Sequence, residues 1–356
     1  MNQITTKYSP EKSFPLKHYR DKFHIPKDSN GNEKIYFCGN SLGLQPKTAR
    51  SYIEQELRDW ETMGVEGHLH AKTPWLYYHD HLTEKMANVV GAKQNEIAIM
   101  NSLTVNLHLM MVSFYRPTNK RYKILIEQNT FPSDQYALKA QAQYHGFNPE
   151  DTVKELKPRE GEEIIRTEDI LEKLNKEGDE IALILLGGVN YYTGQAFEME
   201  KITEKGKEKG CMVGYDLAHA AGNLHMNLHD WNVDFAVWCT YKYLNAGPGG
   251  IAGCFVHEKY AEDFDLPRFP GWFGHEKETR FLMRPDFKPI KGAEGWQLSN
   301  PPIFQMAALN ASLEIFEMAG ISNLSEKSKK LTGYLEYLLK EIQNEQIQII
   351  TPKNPN

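Results

Sequence analysis

Two neighbouring stretches decide the fold class: VGYDLAHAAG (213–222) and WCTYKYLNAGPGG (238–250). The first carries Asp216 at the end of an apolar strand, and the second carries Lys242 just past the next predicted strand. The carboxyl ends of neighbouring strands in an α/β sheet converge on one ligand crevice. We therefore expect the side chains of Asp216 and Lys242 to meet in that crevice.

Apolar strands and amphipathic helices alternate on either side of this pair. The predicted strands are 122–127, 181–186, 212–216 and 235–240, and the predicted helices are 47–63, 75–90, 103–114, 133–144 and 198–209. Continuous apolar strands separated by helices are typical of a mainly parallel sheet that is covered on both faces. The fold class is therefore α/β.

The C-terminal part of the chain has a different pattern. Apolar residues at helical spacing predict an amphipathic helix, and IQII (347–350) predicts the start of a strand. A helix and one strand are half of a small α+β domain, so we expect the chain to be cut short. The predicted units are 1–65, an N-terminal arm and helix that is part of the small domain; 66–300, the large cofactor-binding α/β domain; and 301–356, the start of the C-terminal small domain.

Composition excludes several classes of function. The 356 residues carry a formal charge of -6, which offers no electrostatic footprint for nucleic acid or an anionic membrane. A small-molecule ligand is the better expectation. No stretch has the length of a signal peptide core or a membrane span, so we expect a cytoplasmic protein.

The four cysteines show no CxxC pair, and most of them lie inside apolar runs. We interpret them as reduced core residues, and we predict neither a disulfide framework nor a metal site.

The pairing of a lysine with an aspartate fits one cofactor, pyridoxal 5′-phosphate (PLP). PLP needs an amine to hold its aldehyde as an imine and a carboxylate to keep its pyridine nitrogen protonated. Taken alone, Lys242 is typical of a solvated surface lysine and Asp216 of a helix N-cap. The tight AGPGG loop after Lys242 and the absence of a GxGxxG motif after any predicted strand favour PLP over a dinucleotide.

The remaining parts of a PLP site have candidates nearby. The helix start in NSLTVN (101–106) would bind a phosphate through its free N–H groups, although Ser and Thr also open many helices that bind nothing. Phe131 would stack on the pyridine ring beside Ser133 and Asp134. The alternative is that Phe131 belongs to the core and that Ser133 and Asp134 cap the next helix.

The chain resembles the kynureninases, which are fold-type I PLP enzymes related to the class V aminotransferases. The matching segments are FCGNSLGLQP (37–46), GHLHAKTPW (67–75), NSLTVNLHLMM (101–111), FPSD (131–134), GVNYYTGQ (188–195), YDLAHAAGN (215–223), CTYKYLNAGPGG (239–250), PGWFGH (270–275) and QLSNPPIF (297–304). The resemblance implies a mainly parallel seven-stranded sheet in an αβα sandwich, with a smaller α+β domain that is incomplete at the C-terminus.

The resemblance also implies roles for individual residues. Lys242 would form the imine, Asp216 would hold the pyridinium, and Tyr241 would contact the phosphate and relay a proton. The other cofactor contacts implied are Leu103, Thr104, Phe131, Ser133, Asp134, His219, Trp272 and Asn300, with Trp272 and Asn300 contributed by a second subunit of a homodimer with shared active sites.

Two assignments keep open alternatives, and two departures from the family pattern stand out. His68 and Ser299 resemble residues of the substrate pocket, but His68 is also typical of a polar loop, and His219 of a histidine satisfied within its own helix. Gly187 stands where some relatives have a serine near the ring. No residue matches the motif of the arginine that grips the substrate α-carboxylate in the family.

The activity implied is hydrolysis of L-kynurenine, or of 3-hydroxy-L-kynurenine, to anthranilate or 3-hydroxyanthranilate and L-alanine. That reaction belongs to tryptophan catabolism, the kynurenine pathway, which also serves NAD biosynthesis. One alternative is another PLP reaction, either transamination or cysteine desulfuration; desulfuration needs a mobile cysteine, and all four cysteines here are expected to be buried or on strands. A non-catalytic PLP-binding chain is the third hypothesis.

Overall fold

A seven-stranded sheet forms the centre of the protein in the computed structural model, which describes residues 16–342 and 346–352. The strands are β1 (Ile97–Ile99), β2 (Lys123–Glu127), β3 (Val153–Leu156), β4 (Ile181–Gly187), β5 (Met212–Asp216), β6 (Phe235–Trp238) and β7 (Gly253–Val256). Their order is β1-β7-β6-β5-β4-β2-β3, and β7 runs antiparallel to both of its neighbours. The other pairings are parallel, so the predicted mainly parallel seven-stranded sheet is confirmed.

Helices cover both faces of the sheet. They are α1 (Ala49–Met63), α2 (Gly67–His70), α3 (Asp80–Val90), α4 (Leu103–Phe114), α5 (Pro132–Tyr144), α6 (Pro149–Thr152), α7 (Thr167–Glu177), α8 (Met199–Glu208), α9 (Ile303–Ala319) and α10 (Ile321–Glu341). The strand β4 shows why two layers are needed. Ile184 and Leu186 pack into one apolar cluster, while Leu183 and Leu185 pack into the other. A strand that is apolar on both faces is stable only between two layers.

The sheet directs several chain segments toward one edge. Helix α4 begins shortly after β1, and α5 begins shortly after β2, so both helices start near the carboxyl ends of the parallel strands. Asp216 is the last residue of β5, and Lys242 lies in the turn region after β6. This edge therefore gathers two helix N-termini, a carboxylate and an amine.

The short strands β1, β3 and β7 were not predicted from the sequence. Each has three or four residues, too few for a periodic pattern to show. The strand predicted at 347–350 is wrong, because the structure has no strand there. The apolar stripe of α10 is at least 40% exposed at Leu331, Leu335 and Leu338. The division into the three units stays a prediction, and its outermost residues, 1–15 and 353–356, lie outside the described residues.

Within residues 16–342 and 346–352, no helix is long and apolar enough to cross a lipid bilayer.

A buried ion cluster at the opposite edge of the sheet fixes β5 and β6 in register. The side chain of Asp234 is fully buried and accepts hydrogen bonds from Val213 N and Tyr260 Oη, each at 2.7 Å. Its carboxylate also lies 2.7 Å from Lys207 Nζ and 2.8 Å from Lys259 Nζ. Burial opposes ionisation, but the two ammonium groups outweigh it, and the pKa of Asp234 lies below its usual value.

We expect Asp234→Asn to lower the free energy of unfolding at pH 7 by about 3 kcal/mol, because two partly buried lysines lose their counter-charge. Since the folded state lowers the pKa, the stabilisation exists above the pKa of the unfolded chain and is lost as the pH falls through the folded-state value. Urea denaturation at pH 7 and below pH 4 measures both effects. The exposed Asp230→Asn serves as the control, and equal stability of the two variants at pH 7 would contradict this expectation.

Candidate active site

The backbone at the end of β5 holds the Asp216 side chain. Asp216 pairs with Gly187 of β4 in the sheet register, and its Oδ1 accepts a hydrogen bond of 2.7 Å from Ala218 N. Only 8% of the residue is exposed. Asp216 is thus a buried acceptor at the carboxyl edge of the sheet.

A second carboxyl, Asp134 in the first turn of α5, lies against Asp216. Burial raises the pKa of both groups, and the hydrogen bond and negative charge of Asp216 raise the pKa of Asp134 further. The two carboxyls therefore share a proton, with the negative charge placed on Asp216. Asp134 Oδ1 is buried and makes no hydrogen bond to any residue that the structure describes. It is an acceptor that a ligand group would satisfy.

Lys242 lies near the carboxyl pair formed by Asp134 and Asp216. Its Nζ is 3.0 Å from His219 Nε2 and 5.8 Å from the centroid of the Phe131 ring. Burial, helped by the charge of Lys242, lowers the pKa of His219 to about 4. The imidazole is therefore neutral at pH 7 and accepts a hydrogen bond from the Lys242 ammonium.

Two helix N-termini meet beside this group. Thr104 Oγ1, in the first turn of α4, is 2.9 Å from Ser133 Oγ, in the first turn of α5. Leu103 is the first residue of α4, and no side chain caps that helix. The first N–H groups of a helix have no intrahelical acceptor and carry the positive end of the dipole. This corner therefore suits a phosphate.

The Tyr241 phenol is half-buried next to Cys239. Burial, followed by the neighbouring Cys239 thiol, raises the pKa of Tyr241 to about 12. The hydroxyl therefore keeps its proton at neutral pH and is available as a hydrogen-bond donor.

The GNSLG turn supports the lysine loop, a role that the sequence alone did not reveal. Gly43 N donates to Tyr241 O at 2.8 Å, and Asn245 Nδ2 donates to Leu44 O at 3.0 Å. A methyl group on Gly43 would lie 2.3 Å from Lys242 O and 2.5 Å from Asn245 Nδ2. In the sequence, the one hint of this close approach was Gly43 at the end of FCGNSLG (37–43), because a glycine in a turn can mark a place where another backbone segment comes close.

Four of the expected site residues lie apart from this group. Within the described part of the chain, no hydrogen bond, ion pair or ring contact joins them to Lys242, and each is exposed: His68, Trp272, Ser299 and Asn300. Trp272 donates its Nε1–H to Arg280 O at 3.3 Å, and His68 lies edge-on to Trp75. Their roles in a shared site stay predictions.

The expectation that all four cysteines are buried or on strands is wrong for Cys38. Cys211, Cys239 and Cys254 are buried, but Cys38 is exposed in a turn where Ser41 N and Leu42 N donate to its carbonyl oxygen. A short apolar stretch (35–38) was misleading, because Ile35 and Phe37 in it are also exposed. Burial of the cysteines therefore does not exclude desulfuration.

We expect Gly43→Ala to lower the free energy of unfolding by about 1–3 kcal/mol, because the added methyl group has no space against the lysine loop. Gly39→Ala, in the same turn region, is the matched control, since nothing lies within 4 Å of a methyl group there. Urea denaturation of both variants measures the difference. Equal urea denaturation midpoints for the two variants would contradict the packing of this turn against the lysine loop.

Comparison with known proteins identifies the family. The model of the family "Aminotransferase class-V" matches residues 35–356. The kynureninase of Koribacter versatilis is 60% identical over 96% of this chain and 80% of its own length, and that of Myxococcus xanthus is 59% identical over 95% and 80%. Human kynureninase is 54% identical over 91% of this chain and 72% of its own length.

Solved structures share the fold at lower identity. The apo cysteine desulfurase of Thermococcus onnurineus NA1 has a TM-score of 0.73 at 19% identity and covers 93% of this chain and 80% of its own. A C-DES mutant with glycine linked to its PLP cofactor has a TM-score of 0.72 at 18% identity, covering 86% and 77%. Such likenesses show the fold alone. The sequence identities decide the family: this chain belongs to the kynureninases, within the class V aminotransferases.

Proposed function

We propose that this chain is a PLP-dependent kynureninase, which hydrolyses the Cβ–Cγ bond of L-kynurenine to give anthranilate and L-alanine. The observation that carries the proposal is the meeting of Lys242, the Asp134–Asp216 pair and two helix N-termini in one crevice of a kynureninase chain. 3-Hydroxy-L-kynurenine is the related substrate. We place the reaction in tryptophan catabolism, the kynurenine pathway, which also serves NAD biosynthesis.

The residues present fit PLP. The corner between Thr104, Ser133 and the first N–H groups of α4 would hold its phosphate, and Phe131 would cover one face of its ring. The free, buried acceptor on Asp134 and the charge on Asp216 suit a protonated ring nitrogen. When bound, PLP supplies an electron sink that stabilises negative charge on the carbon atoms of an attached amino acid.

The proposed work of the protein is to hold and move protons around the substrate. Lys242 would hold the cofactor, and its free amine would act as the base for the α proton of the substrate. His219 is neutral and accepts a hydrogen bond from Lys242, which keeps the amine aimed at the crevice. Tyr241 keeps its proton at neutral pH and is the proposed donor or relay during C–C cleavage.

We infer that the active form is a homodimer with shared sites. Trp272 and Asn300 lie on exposed segments, and the resemblance to the family implies that they reach the phosphate of the second subunit. His68 and Ser299 are the proposed residues of the substrate pocket. The exposed aromatic ring of Trp272 supports a surface that another copy covers.

Desulfuration is not favoured, although Cys38 is exposed. The kynureninases are 54% to 60% identical to this chain, whereas the desulfurase of similar fold is 19% identical. Transamination has no specific observation in its favour. Release of sulfide from L-cysteine at a rate comparable with kynurenine cleavage would overturn this preference.

Lys242→Ala should lower turnover of L-kynurenine by at least about 10³-fold, because both the covalent anchor and the base are removed. PLP should then be removed by dialysis, whereas it stays with the wild-type chain. Anthranilate fluorescence and the absorbance of retained PLP measure the two effects. Lys157→Ala, which changes an exposed lysine outside the site, is the control. Near-normal turnover by Lys242→Ala would contradict the assignment of Lys242 as the catalytic lysine.

The shared site predicts complementation between two inactive chains. Lys242→Ala and Asn300→Ala each damage every site of their own homodimers, but a mixed dimer contains one site with neither change. When equal amounts of the two variants are dissociated, mixed and allowed to reassociate, roughly a quarter of all sites should be intact, and activity should recover to about that fraction of the wild-type value. Recovery no greater than the sum of the separate variants would contradict a contribution of Asn300 from the second subunit.

A further inference from the structure

Glu127 is a buried carboxyl that the proposed mechanism does not use. It is the last residue of β2 and is 3% exposed. The pairing between β2 and β4 ends at Leu125 and Ile184, before the two strands reach their carboxyl ends. The Glu127 side chain occupies this gap, and Gly187 N donates to both of its oxygens, at 3.1 and 3.3 Å.

The position of Glu127 couples it to Asp216. Gly187, which donates to Glu127, is the residue of β4 that pairs with Asp216 of β5. A methyl group on Gly187 would lie 2.9 Å from Glu127 Oε1. Gly187 therefore leaves room for this carboxyl beside the proposed cofactor crevice.

The charge that acts most strongly on Glu127 is the negative charge of Asp216. The ionisable groups coupled to it are Asp216 on β5 and Asp134 on α5, and Lys242 acts on both of these aspartates. Within residues 16–342 and 346–352, no lysine, arginine or histidine forms an ion pair with Glu127. Burial, and then the charge of Asp216, raise the pKa of Glu127 to about 7. Its carboxyl is thus largely protonated below neutral pH and ionised above it.

We propose that Glu127 is a positioning residue that sets how much negative charge the Asp134–Asp216 pair presents to the ring nitrogen of the bound cofactor. The inference rests on the proposed binding of PLP. A protonated ring nitrogen placed at Asp216 favours ionisation of a carboxyl nearby, so Glu127 releases a proton to solvent when the cofactor binds. Above neutral pH, ionised Glu127 then strengthens the hold on the ring, whereas at a pH low enough to keep the carboxyl neutral with and without PLP it adds nothing.

The test compares PLP affinity of three apo proteins at pH 6 and pH 8 by equilibrium dialysis. They are the wild type, Glu127→Gln, which keeps an acceptor for Gly187 N without the charge, and Glu155→Gln. Glu155 is exposed on β3, the strand next to β2, so the third protein is a matched control. We expect dissociation constants that agree within about twofold at pH 6 and roughly tenfold weaker binding by Glu127→Gln at pH 8, which is the effect of about one pKa unit.

The outcomes separate the two proposals. Equal affinities of Glu127→Gln and the controls at both pH values would overturn the role of Glu127 and leave the proposed function intact. No saturable binding of PLP by the wild type or Glu155→Gln would overturn the proposed function, and the role of Glu127 with it.

A measurement on the wild type keeps the inference testable if Glu127→Gln does not fold. Infrared difference spectra are recorded at pH 6.5 before and after PLP is added, with glutamate carboxyl carbons labelled with ¹³C. We expect PLP to remove a labelled band of a protonated carboxylic acid. A spectrum without labelled change in that region would overturn the proposal, because aspartates carry no label.

Discussion

The burial of negative charge at the carboxyl edge of the sheet is the constraint on which the rest of the site depends. Asp216 ends β5, Glu127 ends β2 and Asp134 follows β2, with only β4 between the two strands, and the three residues are buried, with exposures of 8%, 3% and 4%. A carboxylate in such surroundings must share a proton or meet a cation. Two cations can balance this charge: the side chain of Lys242 at this edge and the protonated ring of a bound ligand.

Burial at this edge also sets the protonation of the neighbouring side chains. His219 stays neutral beside Lys242, so it does not compete with the lysine for the carboxyl pair. Tyr241 keeps its proton for the same reason of burial. The proposed phosphate corner at Thr104 and Ser133 offers two helix N-termini, whose dipoles favour an anion, so the carboxyls would balance the charge of a bound ring.

The sequence was sufficient for the fold and for the members of the central group. Long apolar strands such as β4 and helices such as α4 have clear periodicity, and Asp216 and Lys242 follow strands whose ends must converge. The sequence was insufficient where a strand is short or where the position of a residue depends on parts of the chain that are distant in sequence. The strands β1, β3 and β7 are too short, the exposure of Cys38 depends on how its turn packs, and Glu127 enters the site only because the pairing of β2 and β4 ends before it.

The most direct test of the central claim uses the unmodified chain. An absorbance spectrum is recorded with PLP, and L-kynurenine is then added while anthranilate fluorescence is followed. We predict a shifted absorbance of the bound cofactor and the appearance of anthranilate with an equal amount of L-alanine. Bound cofactor without anthranilate would contradict a kynureninase activity of this chain, and an unchanged PLP spectrum would contradict the cofactor site at Lys242.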